Sequence, residues 1–233
     1  MTTAPNVPLR PGDMAPSFAL PAVNREGVIG LEDFRGRGPV LVVLMRGLHC
    51  PFCRRHVVQL GVTRDKLERE GVETLAIVNT PTERARQYFQ YRPSRVMLAS
   101  DPDVQTHRAF GLPKIGLVPD DTDPATLQWP LRTTMSQFLN LPVKLDELPE
   151  PKTMAEAHQL LQQKDSYDFT EADQQIYAAH GTQMEGQFLI DPQGTIRWSY
   201  VEGAKGLEDF MNFPAGDDKI LAAVEAMSGN ARG

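Results

Sequence analysis

Residues 40–53 read VLVVLMRGLHCPFC, and this stretch decides the fold. The first six residues are all apolar, which is typical of a strand buried on both faces of a sheet. The proline at position 51 suits the first position of a helix, where an N–H has no helical partner. We therefore predict a strand at 40–45 and a helix over about 51–70, with Gly71 as its C-terminal cap.

Cys50 and Cys53 are the only cysteines of the chain, and they lie at the predicted junction of strand and helix. Residues three apart on a helix have Cβ atoms about 5–6 Å apart, whereas a disulfide needs about 3.5–4.5 Å. The pair therefore closes easily only if Cys50 precedes the helix, which Pro51 as first helical residue implies. There Cys50 also receives the positive helix end and its free N–H groups. We predict Cys50 as the attacking thiolate and Cys53 as the resolving thiol.

The surroundings of the cysteines are positively charged, although the protein as a whole carries −6. From residue 34 to residue 64 there is no Asp or Glu, but there are six arginines and two histidines. Positive neighbours lower the pKa of a thiol. Arg46 is predicted to stabilise the thiolate, because it follows the strand at its carboxyl end, where open α/β sheets place their sites. His49, Pro51 and Arg54 are predicted to support the site.

Outward from this stretch, the pattern alternates between strands and helices. We predict a hairpin at 18–31, strands at 72–78 and 96–99, a helix from a capping box at 80–83 to about residue 91, and a short helix that ends at Gly111. A C-terminal hairpin at 187–200 and a final helix from Asp217 or Asp218 follow. Alternating strands and helices predict an α/β protein around a largely parallel sheet.

Residues 113–183 interrupt this pattern. The segment has seven prolines before Lys152 and then two predicted helices that start with Thr153 and Thr170. It holds eleven acidic residues and five Lys or Arg, which accounts for the net charge of the chain. We predict one domain, residues 1–233, with an acidic, mostly helical insertion at about 113–183. Four apolar side chains of the insertion are predicted to dock it onto the sheet, namely Met135, Phe138, Leu139 and Leu141. Two alternatives stay open for the same side chains: they line an apolar passage over Cys50, or they form a homodimer contact.

Composition restricts the function classes further. Apolar residues make up 41% and charged residues 23%, which is ordinary for a globular domain of this size. The start of the chain shows no apolar signal segment, and the longest apolar run is too short to span a bilayer. We therefore expect a cytoplasmic protein without a membrane partner, in which a cysteine pair is catalytic or metal-binding. The acidic net charge argues against nucleic acid as a partner.

A metal site is the alternative interpretation of the cysteines. His49 and His56 flank the pair and would complete a set of four sulfur and nitrogen ligands. A tetrahedral zinc site normally takes its second ligand pair from a distant segment, and the sequence has no second C-x-x-C or H-x-x-H. We therefore predict redox chemistry with no metal and no bound cofactor. The alternative that the two cysteines have no chemical role stays open.

Several motifs together resemble the peroxiredoxin family, that is, the alkyl hydroperoxide reductase and thiol-specific antioxidant proteins of the thioredoxin-like superfamily. They are PGDMAPSF at 11–18, the strand that leads into RGLHCPFC at 46–53, LASDP at 98–102 with FG at 110–111, and FLIDPQG at 188–194. The resemblance covers about residues 10–112 and 184–228 and is strongest to the C-P-x-C subset. It implies a thioredoxin-like fold, with a central mixed sheet flanked by helices and the insertion before the C-terminal hairpin.

The same resemblance implies hydroperoxide reduction through a sulfenic acid at Cys50, which Cys53 converts to a disulfide. An external thiol donor, a thioredoxin or glutathione system, would supply the electrons. This chain has Val43 and Gly47 where the family has proline and threonine, and it reads Met184-Glu185-Gly186 where the family carries an arginine just before the strand. Two alternatives stay open: a protein disulfide reductase without peroxidase activity, and a non-enzymatic module that binds through the insertion.

Overall fold

The computed structural model describes residues 7–129, 132–212 and 216–230. Its strands are β1 (Ala19–Pro21), β2 (Val28–Gly30), β3 (Val40–Met45), β4 (Glu73–Val78), β5 (Met97–Ser100), β6 (Leu117–Val118), β7 (Thr133–Thr134), β8 (Pro142–Val143), β9 (Lys152–Thr153), β10 (Gly186–Ile190) and β11 (Ile196–Val201). Its helices are α1 (Pro51–Arg69), α2 (Thr82–Tyr91), α3 (Gln105–Ala109), α4 (Met135–Leu139), α5 (Met154–Asp165), α6 (Glu171–His180) and α7 (Asp217–Asn230). None of these helices is long and apolar enough to cross a membrane.

A five-stranded mixed sheet forms the centre of the protein, in the order β11-β10-β3-β4-β5. The strands β3, β4 and β5 are parallel, whereas β10 runs antiparallel to both β3 and β11. This arrangement confirms the predicted α/β fold with a central mixed sheet and a C-terminal hairpin. β1 and β2 form a separate antiparallel pair, which confirms the N-terminal hairpin.

The strand β3 lies in the middle of the sheet, and all six of its residues are buried. Its even-numbered residues belong to one apolar cluster and its odd-numbered residues to the other, as expected for side chains that alternate across a strand. Leu60 and Leu67 of α1 and Val224 of α7 pack against the odd-numbered face. The apolar run thus anchors both layers, and it ends where Arg46 and the cysteine loop begin.

The capping box predicted at residues 80–83 is wrong, although a helix does begin there. The helix α2 begins at Thr82, with Pro81 as its N-cap and without a capping side chain. The Thr80 hydroxyl instead accepts the Leu48 N–H at 2.8 Å, so it ties the cysteine loop to the end of β4. The Thr80 side chain, which the local sequence pattern predicts as the helix cap, is therefore used in a tertiary contact with Leu48 instead. The capping boxes of Thr153 and Thr170 are confirmed.

Within the described residues, the segment 113–183 contributes no strand to the central sheet. It contains two small strand pairs, β6 with β7 and β8 with β9, and the helices α4, α5 and α6. The domain boundaries of the sequence analysis stay a prediction. The segment nonetheless lies against the site, since Gln162 of α5 donates to the His49 carbonyl at 2.8 Å.

Candidate functional site

Cys50 occupies the N-cap of α1, and Pro51 is the first residue of the helix. The Cys50 N–H donates to the Gly47 carbonyl at 3.0 Å, and the Cys50 carbonyl accepts the Arg54 N–H at 3.3 Å. Cys53 lies in the first helical turn. The local geometry therefore follows from the proline, because the helix begins immediately after Cys50 and its free N–H groups point toward that end.

The two thiols are buried and unbridged. Cys50 is 7% exposed and Cys53 is 1% exposed. Their sulfur atoms and a carboxylate oxygen of Glu185 all lie within 4.8 Å of one another. The Cys53 Sγ donates a hydrogen bond to Glu185 Oε1 at 2.7 Å. The structure thus joins the cysteine pair to Glu185, to which the sequence analysis assigned no role; it noted only that the stretch 184–186 lacks the arginine of the family.

Arg46 lies between two carboxylates. Its Nη1 and Nη2 donate to the two oxygens of Glu202 at 2.6 Å and 2.9 Å, and its Nη2 lies 3.3 Å from Glu185 Oε1. Nη1 also donates to the Gln183 carbonyl at 3.1 Å, and the guanidinium lies 5.3 Å from the centre of the Phe210 ring. All three charged side chains are buried. A bidentate arginine with further partners satisfies most of its donors, which a buried guanidinium requires.

The environment separates the two thiols by their pKa values. Burial raises the pKa of Cys50, but a hydrogen bond from Cys53 and the charge of Arg46 outweigh it, so that the pKa falls to about 6. Burial raises the pKa of Cys53 well above its usual value, and the hydrogen bond and charge of Cys50 raise it further. At neutral pH, Cys50 is therefore a thiolate and Cys53 a thiol.

The two carboxylates differ as well. Burial raises the pKa of Glu185, but Arg46, with His56 and Cys53 as hydrogen-bond partners, outweighs burial and lowers it to about 2. Burial raises the pKa of Glu202, and the neighbouring Glu185 charge adds to that rise, although Arg46 opposes it. A single guanidinium thus compensates one carboxylate more completely than the other.

Two of the residues predicted to support the site, His49 and Arg54, make different kinds of contact. His49 packs edge-on against Phe169 and Tyr177, and burial lowers its pKa to about 4, so it is neutral at pH 7. Arg54 donates to the Leu48 carbonyl at 2.6 Å and to Asp165 of α5 at 2.6 Å. Arg54 therefore links the cysteine loop to α5, whereas Arg46 is the arginine held at the carboxylate that Cys53 contacts.

A cavity of about 430 Å³ is lined by Cys50 together with Arg46, Glu185 and Glu202. Apolar side chains form much of its remaining lining; they are Phe52, Phe138, Leu139, Leu145, Met154 and Phe210. Four of these six belong to residues 113–183, so this segment covers the cysteine loop. Of the residues predicted to dock the segment or form a passage, Phe138 and Leu139 line the cavity, Leu141 is buried, and Met135 is 42% exposed.

The described residues contain one group with the spacing of metal ligands, namely Cys50, Cys53 and Glu185. Neither His49 nor His56, which the metal alternative requires, belongs to this group. The Arg46 guanidinium lies 3.3 Å from the Glu185 oxygen that such an ion would use, so it already compensates that charge. The residues fit a proton and charge network better than a metal site.

These features place two close, buried thiols at the carboxyl end of a central strand, one of them ionised and the other protonated. The sequence profile of the AhpC/TSA family matches residues 11–135, more than half of the chain. The chain therefore belongs to the AhpC/TSA family, and the resemblance found in the sequence is confirmed.

Curated relatives agree with this assignment. The chain is 33% identical over 105 residues to peroxiredoxin Bcp of Escherichia coli (strain K12), and this match spans 45% of the chain and 66% of the relative. It is 29% identical over 105 residues to a putative peroxiredoxin of Haemophilus influenzae, with the same two shares. The chain thus covers slightly less than two thirds of the length of these relatives.

Solved structures confirm the fold. Peroxidoxin BcpB from Mycobacterium tuberculosis superposes with a TM-score of 0.53 at 13% identity, over 94% of this chain and 97% of that one. Reduced 2-Cys peroxiredoxin from Plasmodium vivax gives 0.57 at 15% identity, over 97% of this chain and 85% of that one. The predicted thioredoxin-like fold is therefore confirmed.

Proposed function

We propose that this protein is a thiol peroxidase in which Cys50 attacks a hydroperoxide and Cys53 resolves the product. The observation that carries the proposal is the position of Cys50, which is held as a thiolate at a helix N-cap and lines a cavity. The thiolate sulfur attacks the outer peroxide oxygen, the O–O bond breaks, and the alkoxide takes up a proton and leaves as an alcohol. Cys50 is then a sulfenic acid.

Resolution follows within the protein. The Cys53 sulfur attacks the Cys50 sulfur, the S–O bond breaks, and water leaves as the disulfide forms. The proximity of the two sulfur atoms supports this step. An external thiol, such as a thioredoxin or glutathione, then reduces the disulfide by thiol exchange. The reaction needs no bound cofactor, and we propose a reducing compartment, the cytoplasm, as its place.

Arg46 is proposed to stabilise the Cys50 thiolate and to orient the peroxide. Its charge lowers the pKa of Cys50, and its side chain lines the same cavity. Positive charge near the reacting oxygens stabilises the negative charge that develops as the O–O bond breaks. This role replaces a threonine hydroxyl, which the chain lacks at Gly47.

The cavity supports an organic hydroperoxide with an apolar body as substrate. Its volume of about 430 Å³ lies in the range of small-molecule sites and far exceeds the ~30 Å³ that one water molecule occupies. Hydrogen peroxide would leave most of this apolar lining without a contact. An aromatic or branched alkyl hydroperoxide would fill it and bring its peroxide group to Cys50.

Titration of the reduced protein with one equivalent of cumene hydroperoxide tests the proposal. Mass spectrometry is expected to find a Cys50–Cys53 disulfide in the wild type and a trapped sulfenic acid at Cys50 in Cys53→Ser. Cys50→Ser should leave Cys53 unoxidised. Oxidation of Cys53 in Cys50→Ser at the wild-type rate would contradict the assigned roles.

A protein disulfide reductase is the second candidate, and Gly47 favours it. A Cβ atom at this position would lie 2.5 Å from Asn79 Oδ1 and 2.7 Å from His49 Nδ1, so the family's threonine does not fit here without movement. In a disulfide reductase, Cys50 would attack a substrate disulfide and form a mixed disulfide. Trapping substrate proteins on Cys53→Ser, in a cell that lacks peroxide stress, distinguishes this function from the first.

A further inference from the structure

Cys53 contacts a carboxylate in a region that water hardly reaches. Its Sγ lies 2.7 Å from Glu185 Oε1, and the two residues are 1% and 2% exposed. A buried thiol cannot easily pass its proton to solvent. The carboxylate in contact with it is therefore the natural acceptor of that proton.

Arg46 keeps this acceptor ionised. The Arg46 backbone N–H donates to Glu185 Oε1 at 3.2 Å, and its Nη2 lies 3.3 Å from the same oxygen. His56 Nδ1 lies 3.7 Å from the other oxygen of Glu185. The carboxylate thus carries a negative charge while it contacts a protonated thiol, so it is placed to accept the thiol proton as the sulfur attacks.

Cys53 needs such a base because only a thiolate attacks sulfur efficiently. Burial raises the pKa of Cys53, so its thiolate is scarce at neutral pH. We propose that Glu185 is a catalytic residue that accepts the Cys53 proton as Cys53 attacks the sulfur of oxidised Cys50. This inference deepens the proposed function, because it assigns the base of the resolving step.

The step balances without an external reactant. The Cys53 S–H bond breaks and its proton moves to Glu185, while the Cys53 electron pair forms the S–S bond. The S–O bond of the sulfenic acid breaks, and the departing hydroxide takes the proton from Glu185 and leaves as water. Cys53 is oxidised, the sulfenic sulfur is reduced, and Glu185 ends ionised. With a mixed disulfide on Cys50, the departing thiolate takes the same proton.

Glu202 belongs to the same cluster as Glu185 but makes different contacts. Both of its oxygens bind Arg46, and Oε2 also accepts the Glu185 N–H at 3.2 Å. Its carboxylate is thus committed to Arg46 and the backbone, whereas that of Glu185 contacts the thiol. Replacement of Glu185 by glutamine therefore removes the carboxylate that contacts Cys53, whereas replacement of Glu202 leaves it in place.

An experiment with dithiodipyridine tests Glu185 without any peroxide. The Cys50 thiolate attacks this small aromatic disulfide and releases one pyridinethione, and Cys53 then attacks Cys50 and releases the second. Stopped-flow absorbance of the reduced protein at pH 8 follows both releases. Cumene hydroperoxide in a parallel experiment tests the proposed function, so failure of one proposal is distinguishable from failure of the other.

Glu185→Gln is expected to slow the second release by at least about 100-fold, the usual contribution of a general base. The first release should persist, because Cys50 is already a thiolate at pH 8. Arg46, Glu202, His56 and Cys50 face Cys53 and Glu185, and Glu185 is the carboxylate that accepts the Cys53 S–H. The second release of Glu185→Gln should therefore rise about tenfold per pH unit above pH 8, because Cys53 must ionise unaided, while the wild type stays nearly flat.

Glu68→Gln, which removes an exposed carboxylate of α1 paired with Arg64, should keep the wild-type ratio of the two rates. An unchanged ratio in Glu185→Gln, or an equal loss in Glu68→Gln, would overturn the inference. Circular dichroism first establishes that the variants fold. If Glu185→Gln does not fold, Glu185→Asp keeps the charge for Arg46 but withdraws the carboxylate by one methylene. A slower second release in that variant supports the inference, and an unchanged one overturns it.

Discussion

Glu185 and Glu202 face each other beyond the ends of β10 and β11, and their carboxylates share the Arg46 guanidinium. The Glu202 N–H donates to the Glu185 carbonyl at 3.1 Å, which continues the antiparallel register past Gly186 and Val201. Two carboxylates opposite each other destabilise a hairpin when both are ionised, and a cation between them reduces that cost. Arg46 is this cation, and its contacts with both carboxylates hold it beside the cysteine loop.

The first prediction concerns the pH profile of Cys50. Its lowered pKa of about 6 means that reactivity with iodoacetamide should be half-maximal near pH 6 and reach a plateau above pH 7. An ordinary cysteine titrates at about 8.5 and would gain reactivity up to pH 9 and beyond. Mass spectrometry of the wild type after alkylation between pH 4 and pH 10 separates Cys50 from Cys53 and so measures the profile of Cys50. A midpoint above pH 8 would contradict the electrostatic account.

Arg46 should control this midpoint. Replacing Arg46 by methionine removes the charge that stabilises the thiolate, so the alkylation midpoint should move to higher pH. The same change leaves Glu185 and Glu202 without their cation and should destabilise the fold by about 3–5 kcal/mol, as measured by urea unfolding. Arg64→Gln is the control, because this arginine of α1 is partly exposed and pairs with Asp65 and Glu68. An equal shift in both variants would contradict a specific role for Arg46.

The size of the cavity should decide which peroxide reacts. Leu139→Trp adds volume at a residue that lines the cavity and is 38% exposed. We expect its rate with cumene hydroperoxide to fall by at least about 10-fold, within the range that pocket shape controls, while hydrogen peroxide reacts as before. Leu160→Trp, on the exposed side of α5, should change neither rate. Equal losses for both peroxides would show that the cavity does not select the substrate.

Asp165 should hold α5 on the cysteine helix. Its carboxylate accepts hydrogen bonds from Arg54 and Arg55, and these hydrogen bonds and charges lower its pKa even though burial opposes them. Asp165→Asn should cost about 1–2 kcal/mol in urea unfolding, since the pairs are partly exposed. The lowered pKa means that this contribution is present at neutral pH and is lost as the pH falls through the folded pKa. Asp168→Asn is the matched control, and an equal loss there would contradict the prediction.

Gly47 should not accept the hydroxyl that the family carries there. Gly47→Thr forces a Cβ atom against Asn79 and His49, so it should destabilise the protein by about 1–3 kcal/mol. Peroxidase activity should fall with it, because the cysteine loop must move. Gly61→Ala, on α1, has open space for its Cβ and is the control. A gain of activity in Gly47→Thr would show that Arg46 does not replace the hydroxyl.

Local sequence patterns predicted those parts of the fold that depend on neighbouring residues. The run at 40–45 predicted β3, and the proline at 51 predicted both the start of α1 and the position of Cys50. The capping boxes of Thr153 and Thr170 also follow from residues three apart. In each case, the backbone geometry and the burial of one contiguous segment determine which element forms and where it begins.

Contacts between distant segments were harder to predict. A bulge between Leu189 and Ile190 shifts the register of the C-terminal hairpin by one residue, so counting from the turn at 191–194 would place Glu185 opposite Val201. Only the fold shows that Glu185 faces Glu202 and that Arg46 lies between them. Thr80 likewise has the pattern of a helix cap and instead binds the cysteine loop. The sequence left an apolar passage over Cys50 as one of three interpretations of the apolar side chains in residues 113–183, and only the fold shows that Phe138 and Leu139 line the cavity.

The most direct test of the central claim is the rate at which cumene hydroperoxide oxidises Cys50 in the reduced protein. Trp129, whose ring packs edge-on against Phe210 at the cavity, provides a fluorescence signal for stopped flow. We predict a rate constant orders of magnitude above that of free cysteine, abolished in Cys50→Ser, and higher than the rate constant with hydrogen peroxide. A rate no greater than that of free cysteine at the same pH would contradict the peroxidase assignment and leave thiol–disulfide exchange as the function of the site.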